Sequence, residues 1–71
     1  MHLYVNGESS QAKEGSTVAD LVVSLVEAAR EGRRGGIAVA VNGAVVPRAA
    51  WDATVLGPED RVEILTAVQG G

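Results

Sequence analysis

The sequence predicts an α+β domain in which one helix covers one face of a mixed sheet. Three observations predict it. Asn-Gly pairs at 6–7 and 42–43 each lie between strand-like runs, which is the signature of a two-residue hairpin turn. Between the two hairpins, Val18, Leu21, Val22, Leu25, Val26 and Ala29 recur at the spacing of one apolar helix stripe. The closing run RVEILTAV alternates, with Val62, Ile64 and Thr66 on one face and Arg61, Glu63, Leu65 and Ala67 on the other.

Each element follows from its residues. In the first strand, HLYVNG, Leu3 and Val5 alternate with His2 and Tyr4. The returning strand, about Glu8 to Lys13, is polar nearly throughout and reads as a sheet edge. Glu14-Gly15 breaks it. Thr17, followed three residues later by Asp20, forms a start resembling a capping box, with Ser16 as a competing cap. The helix is expected near 18–31. Arg30, Arg33 and Arg34 crowd its far end, where cations favour the helix dipole, and Gly32 or Gly35 ends it. Its β-branched valines have modest helix propensity, so packing must hold it.

In the second hairpin Ile37, Val39 and Val41 point one way, and Ala38 and Ala40 the other. Pro47 cannot donate to a ladder and marks the end of an edge strand. RAAWDATVL holds at most one helical turn, and GPED is a turn. The first and last strands carry the apolar content of central strands. The expected core is Val18, Leu21, Val22, Leu25 and Val26 against Leu3, Val5, Ile37, Val39, Val41, Val62 and Ile64.

Seventy-one residues make one small domain, 1–71, with no room for a second core. A domain of this size buries only about 60% of its unfolded surface. Its 46% hydrophobic content, nearly all Val, Ala, Leu and Ile, meets that demand. Without cysteine there is neither a disulfide frame nor a thiolate metal site. A net charge of −3 argues against nucleic acid and anionic membrane as partners. MHLYVNGESS has no basic or apolar region of a signal peptide. No apolar run approaches the roughly 20 residues of a bilayer span. A soluble, cytoplasmic protein is expected.

Chemistry within the domain is poorly supported. His2 is the lone histidine and reads as an exposed strand-end residue. One histidine and no cysteine leave too few ligands for a transition metal, and the nine carboxylates form no calcium-type loop. No catalytic triad can be assembled. GRRGG lacks the Lys-Ser/Thr ending of a phosphate-binding loop and follows a helix, so it reads as a helix exit. Tyr4 and Trp51 read as packing or strand-surface residues. No catalytic or metal-binding residue is assigned.

The remaining feature is the end, AVQGG, expected as a flexible tail over 67–71. Two terminal glycines lose more entropy on ordering than any other pair, so stability alone gives no reason for them. A Gly-Gly carboxylate has a use, however. Lacking Cβ atoms, it threads a narrow channel and takes backbone angles closed to other residues. Five extended residues reach up to about 17 Å, far enough to enter a partner's buried active site. There ATP can activate the carboxylate as an acyl-adenylate.

Several stretches together resemble one family: VNGE at 5–8, GSTVADL at 15–21, AVAVNGAVVPRAAW at 38–51 and DRVEILTAVQGG at 60–71. The VNG segments alone are weak signals; their spacing to VVPR, a tryptophan and terminal AVQGG is specific. Over nearly its whole length the chain resembles the thiamine-biosynthesis sulfur carrier proteins (ThiS), departing from them in a longer and more basic EGRRGG loop. The resemblance implies a ubiquitin-like β-grasp fold with a four- to five-stranded sheet. It further implies that the chain is a protein co-substrate and not an enzyme. On this reading a ThiF-type adenylyltransferase uses ATP to adenylate the Gly71 carboxylate, which a sulfur-donating enzyme converts to a thiocarboxylate. Thiazole synthase (ThiG) then takes the sulfur for thiamine, with Gly70, Gln69 and Val68 threading the partner's active site. No cofactor is implied to remain bound.

A partner surface is expected on the sheet face opposite the helix, where Leu65, Ala67, Ala38, Ala40 and Tyr4 form an apolar patch rimmed by Arg61 and Glu63. Three other readings compete. Carriers for molybdopterin, cysteine or tRNA thiolation share the fold and the Gly-Gly end, but the molybdopterin proteins resemble this chain less because their tail contains proline. A non-covalent ubiquitin-like adaptor would have an inert terminus. A β-grasp fragment of a larger enzyme would not be expected to start on Met1 or to end flush at Gly71.

Overall fold

The computed structural model describes residues 1–26, 29, 31 and 35–66. Among the described residues the fold is built from β1 (His2–Val5), β2 (Glu8–Gln11), α1 (Val18–Leu25), β3 (Ile37–Val41), β4 (Ala44–Val46) and β5 (Arg61–Thr66). A short 3-10 turn, Arg48–Ala50, follows β4. The sheet order is β2-β1-β5-β3-β4. β5, the last strand, is therefore central, parallel to β1 on one side and antiparallel to β3 on the other. Polar β2 and short β4, the latter followed by Pro47, take the two edges, where unpaired groups meet water.

Both hairpins turn on Asn-Gly with positive φ at each residue: +50° and +83° at Asn6-Gly7, +51° and +85° at Asn42-Gly43. This is the type I′ geometry, whose twist matches the flanking strands. It fixes register: Val5 faces Glu8 across the first hairpin, and Val41 faces Ala44 across the second.

Thr17 caps α1 with a full capping box. Its Oγ1 accepts the Asp20 N–H at 3.2 Å, and its own N–H donates to Asp20 Oδ2 at 3.0 Å. The loop after the 3-10 turn supplies further partners for the free N–H groups of this end: Val18 donates to Thr54 O and Ala19 to Trp51 O. Trp51 is itself fully buried, and its indole N–H donates to Val46 O at 2.9 Å. An amphipathic ring with its one polar group satisfied is a stable plug for the end of a small core.

The core gathers Leu3, Val18, Ala19, Leu21 and Val22 against Ile37, Val39, Trp51, Leu56, Val62 and Ile64, with Ala29 also buried. Three expectations need correction. The helix expected near 18–31 is broken after Leu25, because Val26 turns to extended angles (φ −116°, ψ 111°) after its N–H closes on Val22 O, and Ala29 beyond it is helical again. Leu25 consequently is not core but 51% exposed, while Val5, Val26 and Val41 are only partly buried. The physical cause is geometric. Helical spacing sets which face is apolar, but β1 turns at Asn6, and Leu25 and Val26 face an open groove between Val5, Ile64 and Thr66 that their side chains do not fill. Residues 27, 28, 30 and 32–34, which carry the rest of the expected helix and most of the basic loop, lie outside the described residues. The returning strand is shorter than expected, ending at Gln11.

Candidate functional site

β5 organises the site. Its alternation sends Val62 and Ile64 into the core and leaves Arg61, Glu63 and Leu65 exposed on the opposite face. The ladders then fix each neighbour. Leu65 lies across from Ala38, Glu63 across from Ala40, and Ala40 in turn across from Val45. Leu65 is 70% exposed and Val45 77% exposed. Alanines between them keep the intervening surface low, so two branched side chains project from a shallow apolar field.

Tyr4 sits elsewhere. It lies opposite Arg61 in the β1–β5 ladder, four residues from Leu65, or about 13 Å along the strand. The Arg61 guanidinium carbon is 5.8 Å from the Tyr4 ring centroid, a cation–π approach. The His2 ring stands edge-on to Tyr4 with centroids 4.8 Å apart. His2 Nδ1 lies 2.8 Å from Glu59 Oε2 and its Nε2 lies 2.6 Å from Ser9 Oγ. His2 is thus a half-buried tie between β1, β2 and the loop before β5. Tyr4 and Arg61 form a polar-aromatic cluster at the start of β5, with Glu63 between it and the Leu65 patch.

The structure therefore brings Leu65, Ala38 and Ala40 together, separates Tyr4 and Arg61 from them, and adds Val45. Sequence reasoning missed Val45 although the signal was present. A two-residue turn at Asn42-Gly43 places Val45 opposite Ala40, which the alternation of β3 puts on the outer face. Ala67, Val68, Gln69, Gly70 and Gly71 lie outside the described residues. The last described residue is Thr66, at the end of the central strand and exposed. Beside it, on the helix side, opens a groove of about 360 Å³ whose lining includes Val5, Leu25, Val26, Ile64 and Thr66.

Among the described residues no group of three or more His, Cys, Asp or Glu side chains is placed to hold a metal ion. Nor is any helix among them long and apolar enough to cross a membrane.

A mixed sheet of this order, crossed on one face by a helix that follows the first hairpin, defines the ubiquitin-like β-grasp class. The crystal structure of a thiamine biosynthesis protein (ThiS) from Geobacter metallireducens superposes on the chain with a TM-score of 0.77, at 34% identity, covering all of both chains. The family model described as ThiS family matches residues 3–71. The chain belongs to the ThiS family. Among curated proteins it is 28% identical to the sulfur carrier protein ThiS of Escherichia coli (strain K12) over the full length of both. It is also 34% identical to a segment of a thiazole synthase from Magnetococcus marinus, of which the chain spans only 20%.

Proposed function

We propose that this chain is a sulfur carrier of thiamine biosynthesis whose cargo is held on the Gly71 carboxylate. The observation that carries the reading is the extent of the family match, which runs through Gly70 and Gly71 to residue 71. Supporting it, the strand that leads to the tail is the central one, paired with β1 at its start and with β3 through Thr66.

In this mechanism the Gly71 carboxylate attacks the α-phosphate of ATP in a ThiF-type enzyme, and pyrophosphate leaves. Sulfide delivered by a sulfur-donating enzyme then displaces AMP, which departs with one of the original carboxylate oxygens. The product is a thiocarboxylate, which gives its sulfur to thiazole synthase. The carrier itself contributes docking and reach and acts as co-substrate, not as enzyme. Gly70, Gln69 and Val68 occupy the partner's channel, where a Cβ on Gly70 would obstruct passage. Cytoplasmic ATP serves the activating enzyme. Thiazole synthase as the recipient is supported by the Magnetococcus marinus protein of that name, a fifth of which this chain matches.

The exposed field of Leu65, Ala38, Ala40 and Val45 is the docking surface for the activating enzyme. Its place fits that role: Leu65 is next to the last residue of the strand that runs into the tail. Intact-mass spectrometry tests the whole reading. Incubation with purified ThiF-type enzyme, ATP and sulfide is expected to exchange one terminal oxygen for sulfur. An unchanged mass would leave a non-covalent ubiquitin-like adaptor as the better description.

A further inference from the structure

We infer that Asn6 is a positioning residue for the C-terminal tail, fixing the direction in which β5 delivers it. This rests on the carrier reading above. The parallel ladder between β1 and β5 ends at Val5 opposite Val62, yet β5 continues to Thr66 with only β3 beside it. The last backbone link on the β1 side is the Asn6 N–H, which donates to Val62 O at 2.8 Å. The Asn6 side chain then takes over from the strand. Its Oδ1 accepts the Ile64 N–H at 2.8 Å, and its Nδ2 donates to Ile64 O at 3.1 Å. A carboxamide carries the same donor and acceptor as a peptide group. One side chain thereby extends the ladder two residues further along β5, toward the tail.

The second hairpin supplies a matched comparison. Asn42 has the same turn geometry, and it too holds β5, but at the beginning. Its Oδ1 accepts the Arg61 N–H at 3.0 Å and its Nδ2 donates to Asp60 Oδ1 at 3.0 Å. Both ends of β5 are gripped by a turn asparagine, and only the grip of Asn6 faces the tail. Released from it, residues 64–66 would be held from β3 alone. The tail would then start from a spread of directions, and the fraction of docked carriers aimed into the partner's channel would fall. Docking itself, through the outer face, would be unaffected. The effect therefore belongs in kcat, because positioning errors of about 1 Å are costly to a reacting group.

Glycine accepts the positive φ of this turn without strain, so Asn6→Gly deletes the grip and keeps the hairpin. Asn42→Gly does the same at the other end. Both full-length variants are compared with wild type using ThiF-type enzyme, ATP and sulfide, at a temperature where all three are folded. For Asn6→Gly, kcat is expected to drop at least tenfold with KM for the carrier within twofold, and the Ile64 amide to exchange at least tenfold faster. Asn42→Gly should keep kcat within twofold. A normal kcat in Asn6→Gly, an unchanged Ile64 exchange rate, or an equal loss in Asn42→Gly would each overturn the proposal. Should wild type itself fail to be converted, the carrier reading falls and this role falls with it, an outcome separate from failure of the variant alone.

Discussion

Leu21 and Leu25 lie one helical turn apart on α1, yet Leu21 is 5% exposed and Leu25 is 51% exposed. The same residue type on the same stripe passes from core to rim within about 6 Å of helix rise. Leu21→Ala is expected to cost about 2–5 kcal/mol, as a buried truncation that leaves a cavity. Leu25→Ala should cost only about 1 kcal/mol, since half its surface is already in water and the open groove leaves no new void. Chemical denaturation of the two variants checks this, and equal losses would contradict the observed helix end.

Thr17 holds the other end of the same helix. Thr17→Ala removes the acceptor for the Asp20 N–H and leaves only the other half of the box, the Thr17 N–H donating to Asp20 Oδ2. A loss of about 1 kcal/mol is expected. Thr17→Asp retains an acceptor at the cap and should recover most of it, read as the shift in thermal midpoint.

On the outer face, Leu65→Glu and Val45→Glu place a carboxylate where the partner is proposed to sit. Both side chains are exposed, so stability should change by less than about 0.5 kcal/mol. Binding to the activating enzyme, measured by calorimetry, should weaken at least tenfold. Tyr4→Ala, some distance along the sheet, should weaken it far less. The reverse order would shift the docking surface to the Tyr4–Arg61 cluster.

The tail is tested without touching the core. One Ala appended after Gly71 moves the carboxylate about 3.5 Å beyond its proposed reactive position, and Gly70→Val adds a β-branched side chain to the segment proposed to thread a channel. Unfolding temperatures should match wild type, while ATP-dependent thiocarboxylate formation is lost in both. Conversion of the extended chain at the wild-type rate would show that Gly71 is not the reacting residue.

What could be read from the sequence was whatever depends on neighbours along the chain. The Asn-Gly turns, the Thr17–Asp20 box and polar β2 are local signals, and each stands where the sequence placed it. The apolar stripe identifies the buried face of α1 but not the break at Val26 or the open groove beside it, so Leu25 is expected in the core and lies at its rim. Val45 required the hairpin register to be carried across to the neighbouring strand. Tyr4 and Leu65 share a face, as their parity implies, but only the parallel β1–β5 register reveals the distance between them. The Asn6–Ile64 contact joins residues 58 positions apart, and no local pattern announces it.

The central place of β5 also governs the order in which this molecule can come into being. Without residues 61–66 the sheet falls into two separate hairpins, β1–β2 and β3–β4, with no hydrogen-bonded ladder between them. A growing chain carries the residues of both hairpins before it receives the strand that unites them. Closing the parallel β1–β5 pair then joins segments from opposite ends of the sequence, a slow, high-contact-order step. A chain cut after Asp60 is expected to show no cooperative unfolding transition by circular dichroism. Completion of the sheet and arrival of the strand that leads to residues 67–71 are thus one event, and a chain stopped before it holds two hairpins with no ladder to join them.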